Sequence, residues 1–280
     1  MDSYLQEIEA ARAARVKRLL SDRGWLALVG KTFLSQGTLR VGSAMASDVR
    51  LPDDAPEDVG TLVVEGHRVR FDAAEGLSVT CNGEPVASRV LVSDLAGPAD
   101  RLLVGGYGLE LMERGDALAL RVRDTRGARG PFAGISHFDV DPAWRKTGRF
   151  IAHASPVPIE MEFEGGSDGT VSQGYMSRGV VVFDVGGQEQ RLDVFDEDGA
   201  RLYILFRDAT SGKETYALGR FIYAPLPDAD GNVVLDFNRA MVPGCAFSVY
   251  ATCPIPPVQN RLKVAVPAGE KEYLGTAIGA

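Results

Sequence analysis

The sequence predicts a mainly β protein, in which an N-terminal helix precedes a small β-sandwich-like region and then a larger antiparallel β-sheet domain. Helical spacing of apolar side chains is confined to residues 1–24. Residues 25–125 consist of short apolar runs separated by turn residues, which is typical of a small sandwich. Residues 126–280 again contain strand-length runs and no long amphipathic pattern. We therefore expect a second, larger sheet in that part of the chain.

The helix is predicted from its start, its periodicity and its end. Ser3 and Gln6 form a capping-box pattern, which satisfies backbone amides that the start of a helix leaves open. Gly24 marks the end of the pattern. The apolar residues that recur with helical spacing are Leu5, Ile8, Val16, Leu19 and Leu20. Because most of the other side chains are charged, we expect this helix to lie along a surface groove.

Turn residues divide the region 25–125 into strands. Gly66 follows Glu65, and Gly83 follows Asn82, at points where a tight hairpin requires positive φ. The charged, glycine-rich segment 123–131 has no periodicity and indicates a linker to the larger domain.

The charge balance limits the expected partners. The chain has 30 basic and 38 acidic residues and a formal net charge of −8. Such a surface repels phosphate backbones and anionic lipids, so we expect neither nucleic acid nor a membrane as a partner. No run approaches the ~20 apolar residues that span a bilayer. The N-terminus lacks the pattern of a secretory signal, and we expect a cytoplasmic protein.

Three cysteines are too few and too scattered to form a disulfide framework. We therefore expect free thiols at Cys81, Cys245 and Cys253. The alternative is a bridge between Cys245 and Cys253, which lie eight residues apart and can approach each other across a turn.

The densest polar signal lies between residues 203 and 273, where charged groups are embedded in apolar strands. Arg207 follows a continuous apolar run, and Arg220 lies in the next strand. An antiparallel hairpin with residues 233–238 would place Arg220 opposite Asp236, if Tyr223 pairs with Val233.

This arrangement leaves three interpretations open. The first is a structural ion pair, in which Asp236 neutralises a buried Arg220. The second is a pocket for a carboxylate or phosphate ligand, lined by Arg207, Arg220, Asp236 and Asn238. The third is a solvent-exposed face with neither role.

A catalytic role requires a base, for which Asp236 and Glu270 are the candidates. Cysteine catalysis is not supported, because none of the three histidines is spaced to pair with a cysteine. The sequence contains no metal-binding motif and indicates no cofactor.

Several phrases resemble a bacterial family catalogued as domain of unknown function 1684. They are GWLALVGKTFL, LRVRD, FRDATSGKETYALGRF and VVLDFNRAMVPGCAFSVYATCPIPPVQNRLKVAVPAGEKEY. The resemblance spans residues 25–273 and names neither a reaction nor a ligand. Where the family usually reads Asn-Ala-Tyr-Asn-Pro-Pro-Cys, this chain has Val242 and Gly244 in place of an asparagine and a proline.

A second resemblance covers residues 38–83, which look like the opening of a forkhead-associated domain. Such domains bind phosphothreonine through an arginine after the first glycine and a Ser-Arg…His element. In this chain Ser43 follows Gly42, and Pro56, Glu57 and Asp58 occupy the second region. The resemblance therefore implies a scaffold and does not imply phosphopeptide binding.

The expected function is a protein that binds a small anionic molecule, or an enzyme, with the Arg/Asp/Asn-lined pocket in the C-terminal domain. The alternative is a non-catalytic structural or interaction module that contains structural ion pairs. The sequence gives no signal for an oligomeric state.

Overall fold

The computed structural model describes residues 2–128, 130–166, 169–196 and 199–280, and its fold is mainly β, as predicted. Helix α1 (Asp2–Leu20) is followed by eighteen described strands in three sheets. Within these ranges, no helix is long and apolar enough to cross a membrane.

The first two sheets form a sandwich. The first contains, in spatial order, β1 (Leu28–Phe33), β11 (Ala117–Asp124), β10 (Tyr107–Arg114), β9 (Arg101–Val104), β6 (Thr80–Cys81) and β7 (Glu84–Pro85). The second contains β3 (Val49–Arg50), β2 (Gly37–Gly42), β4 (Gly60–Glu65), β5 (Arg68–Ala73) and β8 (Ser88–Val90). Leu62 and Phe71 of the second sheet share a core with Leu109 and Leu120 of the first. Alternation of apolar and polar side chains along the strands therefore buries one face of each sheet against the other.

Both predicted hairpin turns are confirmed. Gly66 connects β4 to β5 with a φ of 60°, a left-handed value that glycine adopts without steric cost. Asn82 and Gly83 connect β6 to β7 and have φ values of 52° and 94°.

The third sheet is larger and strongly curved. Its order is β16 (Arg220–Pro225), β15 (Arg201–Phe206), β14 (Gln188–Asp196), β13 (Gly169–Val185), β12 (Arg145–Gly166) and β17 (Asn232–Asp236), with β18 (Cys253–Pro254) also paired to β12. After β17 the chain returns to β16, where Phe221 and Met241 exchange two backbone hydrogen bonds of 3.0 and 2.9 Å. The sheet is thus nearly closed into a barrel, and side chains such as Ile204, Phe206, Ile222 and Phe237 fill its interior.

The predicted hairpin between β16 and β17 is wrong. These strands lie at opposite ends of the hydrogen-bonded order. Tyr223 pairs with Tyr203 rather than Val233, Arg220 lies opposite Phe206, and Asp236 lies opposite Arg145. Both neighbours of β16 in the sequence, β15 and β17, are apolar strands that could pair with it. The pairing with β15 places Tyr203 against Tyr223 and Phe221, and such cross-strand aromatic contacts stabilise a sheet.

Helix α1 packs against the barrel through Ile8, Leu19 and Arg15, all of which are buried. The helix begins at Asp2, so Ser3 lies inside its first turn rather than at the predicted cap. Gly24 lies after the helix, where the chain passes close to the carbonyl groups of the last helical turn. A Cβ atom on Gly24 would lie 2.1 Å from the carbonyl oxygen of Leu19, so the close approach requires glycine.

The expectation of three free thiols is wrong. Cys245 and Cys253 form a disulfide with a Cα–Cα distance of 5.9 Å, and Cys81 is a buried free cysteine. The bridge closes a loop that begins with the 3-10 turn Gly244–Ala246 and ends at β18.

We predict that the unfolded, unreduced chain reacts with a thiol reagent such as DTNB at one cysteine, which is Cys81. After reduction, three thiols should react. The chain is alkylated at cell lysis in a parallel sample, so that oxidation during purification is distinguished from a native bridge. Three reactive thiols before reduction would contradict the disulfide, and Cys81→Ser should lower each count by one.

Candidate functional site

Arg220, one of the predicted ligand-binding residues, is sealed inside the barrel. Its side chain has 0% exposure. It donates to the carbonyl oxygens of Val266 at 2.8 Å and Glu270 at 3.2 Å, and also to that of Ala268. Its guanidinium lies over the Phe206 ring, 5.4 Å from the centroid. Burial lowers the pKa of Arg220, and the nearby Asp208 carboxylate opposes that effect.

The ion-pair partner of Arg220 is Asp208 rather than the predicted Asp236. The Arg220 Nη2 and Asp208 Oδ1 atoms are 3.5 Å apart, and both side chains are inaccessible to solvent. Asp208 also accepts hydrogen bonds from the Val266 amide at 2.6 Å and from the Thr210 hydroxyl at 2.9 Å. The geometry therefore favours a structural ion pair, because the donors of Arg220 are directed to the C-terminal segment 266–270.

Arg207 is only half-buried and lies beside this pair at the end of β15. Its backbone pairs with the segment around Arg261: the Arg207 amide donates to Asn260, and its carbonyl accepts from Leu262 at 2.7 Å. Arg207 and Arg220 are therefore not brought together with Asp236 and Asn238 around one cavity.

Asp236 and Asn238 instead bind the start of helix α1. The Tyr4 hydroxyl donates to Asp236 Oδ1 at 2.8 Å and accepts from Asn238 Nδ2 at 3.0 Å. Asn238 also exchanges hydrogen bonds with the backbone of Asp141, at 2.8 and 3.1 Å. Burial and the bond to Asp236 raise the pKa of Tyr4 to about 12. Tyr4 is therefore a neutral donor at physiological pH.

Glu270, the other predicted base, binds the middle of the same helix. Its Oε1 atom accepts from Arg15 Nε at 3.1 Å, and its Oε2 atom accepts from the Val242 amide at 2.7 Å. Arg15 in turn donates to the Val242 carbonyl at 2.8 Å. Glu270 is 2% exposed, so this closed ring of contacts is the buried attachment of α1 to the barrel.

A cavity of about 350 Å³ opens beside this attachment, between α1 and the barrel. We call it the helix cavity. Its described lining residues are Ile8, Ala11, Arg12, Arg15, Arg18, His137, Tyr223, Asn238, Arg239, Ala240, Met241 and Glu270. Four of these are arginines and one is a carboxylate, so positive charge predominates.

The arginines of the helix cavity differ in how many hydrogen-bond and ion-pair partners they have in the protein. Arg12 donates to Glu9 at 2.9 Å and to the Phe138 carbonyl at 3.0 Å, while its buried Nε has no hydrogen-bond partner among the described residues. Arg239 contacts Asp236 and Glu7. Arg18 is solvent-exposed at the mouth of the cavity.

His137 gives the cavity a neutral imidazole. Burial, assisted by the positive charge of Arg12, lowers the pKa of His137 to about 4. At neutral pH the ring therefore carries no charge, and one of its nitrogens is hydrogen-bonded to the Ile135 backbone.

The sequence analysis missed the contribution of the helix. Arg12, Arg15 and Arg18 recur every three residues, which places them along one stripe of α1. That spacing was a usable signal, but the surrounding charges made the stripe indistinguishable from a solvated face. Of the predicted residues, Asn238 and Glu270 line the helix cavity, and Asp236 lies behind it.

A further cavity of about 640 Å³ contains His153 and Asp193. The His153 Nε2 and Asp193 Oδ1 atoms are 3.6 Å apart, and the Ser177 hydroxyl contacts both residues. Ser177 has 0% exposure and donates to Asp193 and to the Gly179 carbonyl. This is therefore a buried hydrogen-bond network, and it does not present an accessible nucleophile. Across the described ranges, no three His, Cys, Asp or Glu side chains are grouped to hold a metal ion.

A family model described as "Protein of unknown function (DUF1684)" matches residues 130–271, which is just over half of the chain. The chain belongs to this family. His137, Asn238 and Glu270 lie within the matched range, whereas the arginines of α1 precede it. No curated protein is similar enough to match the chain.

Two solved structures are similar to parts of the chain. An uncharacterized protein of Haloarcula marismortui, solved by NMR, is 34% identical over 52% of this chain and 80% of its own, with a TM-score of 0.41. The FHA domain of FhaA, solved in complex with the intracellular domain of Rv3910, is 16% identical over 31% of this chain and 82% of its own, with a TM-score of 0.23. The second is of the class that residues 38–83 resemble.

We predict that Arg220→Met lowers the free energy of unfolding by about 3–5 kcal/mol, because it leaves Asp208 buried without its cation. Urea unfolding monitored by circular dichroism measures the change. Arg207→Gln is the matched control and should cost less than about 1 kcal/mol, because this arginine is half-buried and lies at the end of β15, outside the buried ion pair. An Arg220→Met variant as stable as the control would contradict a structural role.

We also predict a pH-dependent contribution from His137. The imidazole has a folded-state pKa of about 4 and an ordinary unfolded pKa of about 6.5, so the unfolded chain binds its proton first on acidification. The contribution of His137 to stability is therefore present above pH 6.5 and is lost as the pH falls towards 4. Urea unfolding across this range should show a shallower pH dependence in His137→Gln than in the wild type. An NMR titration midpoint near 6.5 for the folded His137 would refute this prediction.

Proposed function

We propose that the protein binds a small molecule carrying a carboxylate or phosphate group in the helix cavity. The observation that carries this proposal is the concentration of four arginines around one cavity in a chain whose net charge is −8. A volume of about 350 Å³ lies within the range of small-molecule sites.

The chemistry of the lining supports an anionic ligand. Guanidinium groups present several donors in a plane and bind carboxylates and phosphates through paired hydrogen bonds. Arg18 lies at the mouth, and the Arg12 Nε is a buried donor without a hydrogen-bond partner among the described residues. The neutral His137 adds a lining group that does not repel an anion. The Asn238 amide, already bonded to Tyr4 and Asp141, is a fixed and uncharged part of the wall.

Binding is better supported than catalysis. A general base needs an oxygen that can take a proton from the substrate. Both carboxylate oxygens of Glu270 already accept hydrogen bonds, from Arg15 and Val242. Asp236 likewise binds Tyr4 through Oδ1 and Arg239 through Oδ2. A reaction that uses either carboxylate would first have to break the attachment of helix α1.

The alternative, a purely structural module, is supported by contacts in the barrel interior and not by the helix cavity. The ion pair of Arg220 and Asp208 is buried, and both Nη atoms of Arg220 donate to groups of the protein, which is what that alternative requires. This ion pair accounts for the barrel interior, and the contacts of Arg15 with Glu270 account for the attachment of α1. Neither explains the exposed Arg18 at the helix cavity, or the Arg12 Nε atom, which has no hydrogen-bond partner in the described part of the chain.

The net charge of −8 opposes binding to nucleic acid. The cytoplasmic location and bacterial origin expected from the sequence stay predictions. The Cys245–Cys253 bridge weighs against the cytoplasmic location, because disulfides persist mainly in oxidising compartments.

We predict that Arg18→Gln weakens the binding of small anions about five- to tenfold, because it removes one charged donor from the mouth of the cavity. Isothermal titration with inorganic phosphate, malonate and citrate measures the dissociation constants. Lys17→Gln is the matched control: it removes the same charge from the adjacent exposed position, which is outside the cavity lining. Its dissociation constants should stay within about twofold of the wild type. Equal weakening by both variants, or no binding of any probe, would overturn the proposal.

A further inference from the structure

We propose that the ligand carries a planar aromatic ring next to its anionic group, and that the ring occupies a second cavity beyond the arginines of α1. This inference rests on the proposed function and specifies the class of ligand. We call the second cavity the aromatic cavity. It has a volume of about 460 Å³, and it shares Arg15, Arg18, Tyr223 and Met241 with the helix cavity.

The shared residues place positive charge where the two cavities meet. Arg15 is fixed there by Glu270 and the Val242 carbonyl, and Arg18 follows it one turn later on the same helix stripe. A ligand whose anionic group lies beside these arginines can therefore extend from that point into the aromatic cavity.

One wall of the aromatic cavity is a group of three rings on the outer face of the barrel. Tyr203 of β15 is paired with Tyr223 of β16, and Phe221 lies two residues before Tyr223 on the same face. The three ring centroids are 5.4 to 5.6 Å apart. All three rings are half-buried, whereas Phe195 on the neighbouring β14 is 1% exposed. The outer face is thus covered at Phe195 and partly open at these three rings.

The opposite wall contains Trp25, in the 3-10 turn Trp25–Ala27 that follows α1. Gly244 packs directly on the indole, and a Cβ atom at that position would lie 2.4 Å from the ring. The guanidinium groups of Arg121 and Arg123 from the sandwich lie 5.9 and 5.4 Å from the ring centroid. Trp25 is therefore held in place by two separate parts of the protein.

The cavity thus combines fixed aromatic surfaces with cations. Ring surfaces bind other planar rings in stacked or edge-to-face arrangements, and they add little to the binding of a compact aliphatic acid. Arg201 lies over Tyr223, with its guanidinium carbon 3.9 Å from the ring centroid, and it adds a cation to the lining. This combination fits an aromatic or heteroaromatic carboxylate or phosphate ester.

The experiment compares phenyl phosphate with inorganic phosphate on the full chain by isothermal titration. Phenyl phosphate should bind about three- to tenfold more tightly, which is the gain expected from aromatic contacts. Phe221→Leu should abolish that advantage and leave the dissociation constant of inorganic phosphate unchanged. Phe33→Leu is the matched control, because this half-buried ring lies in β1 and lines neither cavity. Tyr203→Leu replaces Phe221→Leu if circular dichroism shows that the latter does not fold.

A second readout uses the two tryptophans of the chain, Trp25 and Trp144. Trp144 packs on Phe237 at the barrel core, and Trp144→Phe keeps an aromatic ring in that position. In this variant Trp25 is the remaining tryptophan, so the emission reports on the aromatic cavity. Phenyl phosphate should change the Trp25 emission, and inorganic phosphate should change it much less.

The outcomes separate this inference from the proposed function. If both phosphates bind equally and Arg18→Gln weakens both, the ring site is wrong and the anion site stands. If phenyl phosphate binds more tightly but Phe221→Leu leaves its advantage intact, the ring lies elsewhere and the inference is overturned. If neither phosphate binds, the anion site fails, and the ring site fails with it.

Discussion

The burial of Arg220 is the constraint on which the rest of the candidate site depends. A guanidinium inside a barrel needs a counter-ion and acceptors for its donors. Asp208 supplies the charge, and the carbonyl groups of residues 266–270 supply acceptors. The C-terminal segment is therefore drawn across the barrel, and this positions Glu270. Glu270 then binds Arg15, which sets helix α1 on the barrel and encloses the helix cavity.

This dependence explains why arginines of one chain have opposite roles. Arg220 is surrounded by acceptors in the protein, so its charge serves the fold. Arg12 and Arg18 lie where the helix leaves a gap against the barrel, so their charge faces a cavity. The difference follows from where each cation meets the sheet: Arg220 points into the closed interior, whereas the helix arginines approach the outer surface from one side. Composition alone treats all of them as equivalent.

The sequence predicts what is local and misses what depends on distant pairing. The presence of α1, the turns at Gly66 and Gly83 and the mainly β class follow from short patterns of residues. The partner of β16 does not, because the apolar strands on either side of it are both possible partners, and the barrel pairs β17 with the distant β12 instead. The approach of Cys245 to Cys253, and that of Arg15 to Glu270 over 255 positions, likewise require the tertiary fold. Asn238 is predicted from its alternation with Asp236 at the end of an apolar run, and Glu270 from its carboxylate on a proline-rich connection. The helix arginines look like an ordinary solvated stripe.

The contrast between global and local charge gives the proposed site its selectivity. A net charge of −8 repels extended polyanions over the range of the Debye length, about 8 Å at physiological ionic strength. Inside the helix cavity the nearest charges are guanidinium groups, and the low-dielectric walls screen them less than bulk water does. A single carboxylate or phosphate group is small enough to enter that local field, whereas a nucleic acid would have to bring many phosphates against the acidic surface. The apolar and aromatic walls next to the arginines then distinguish among small anions by shape, because every small anion is attracted by the same charge.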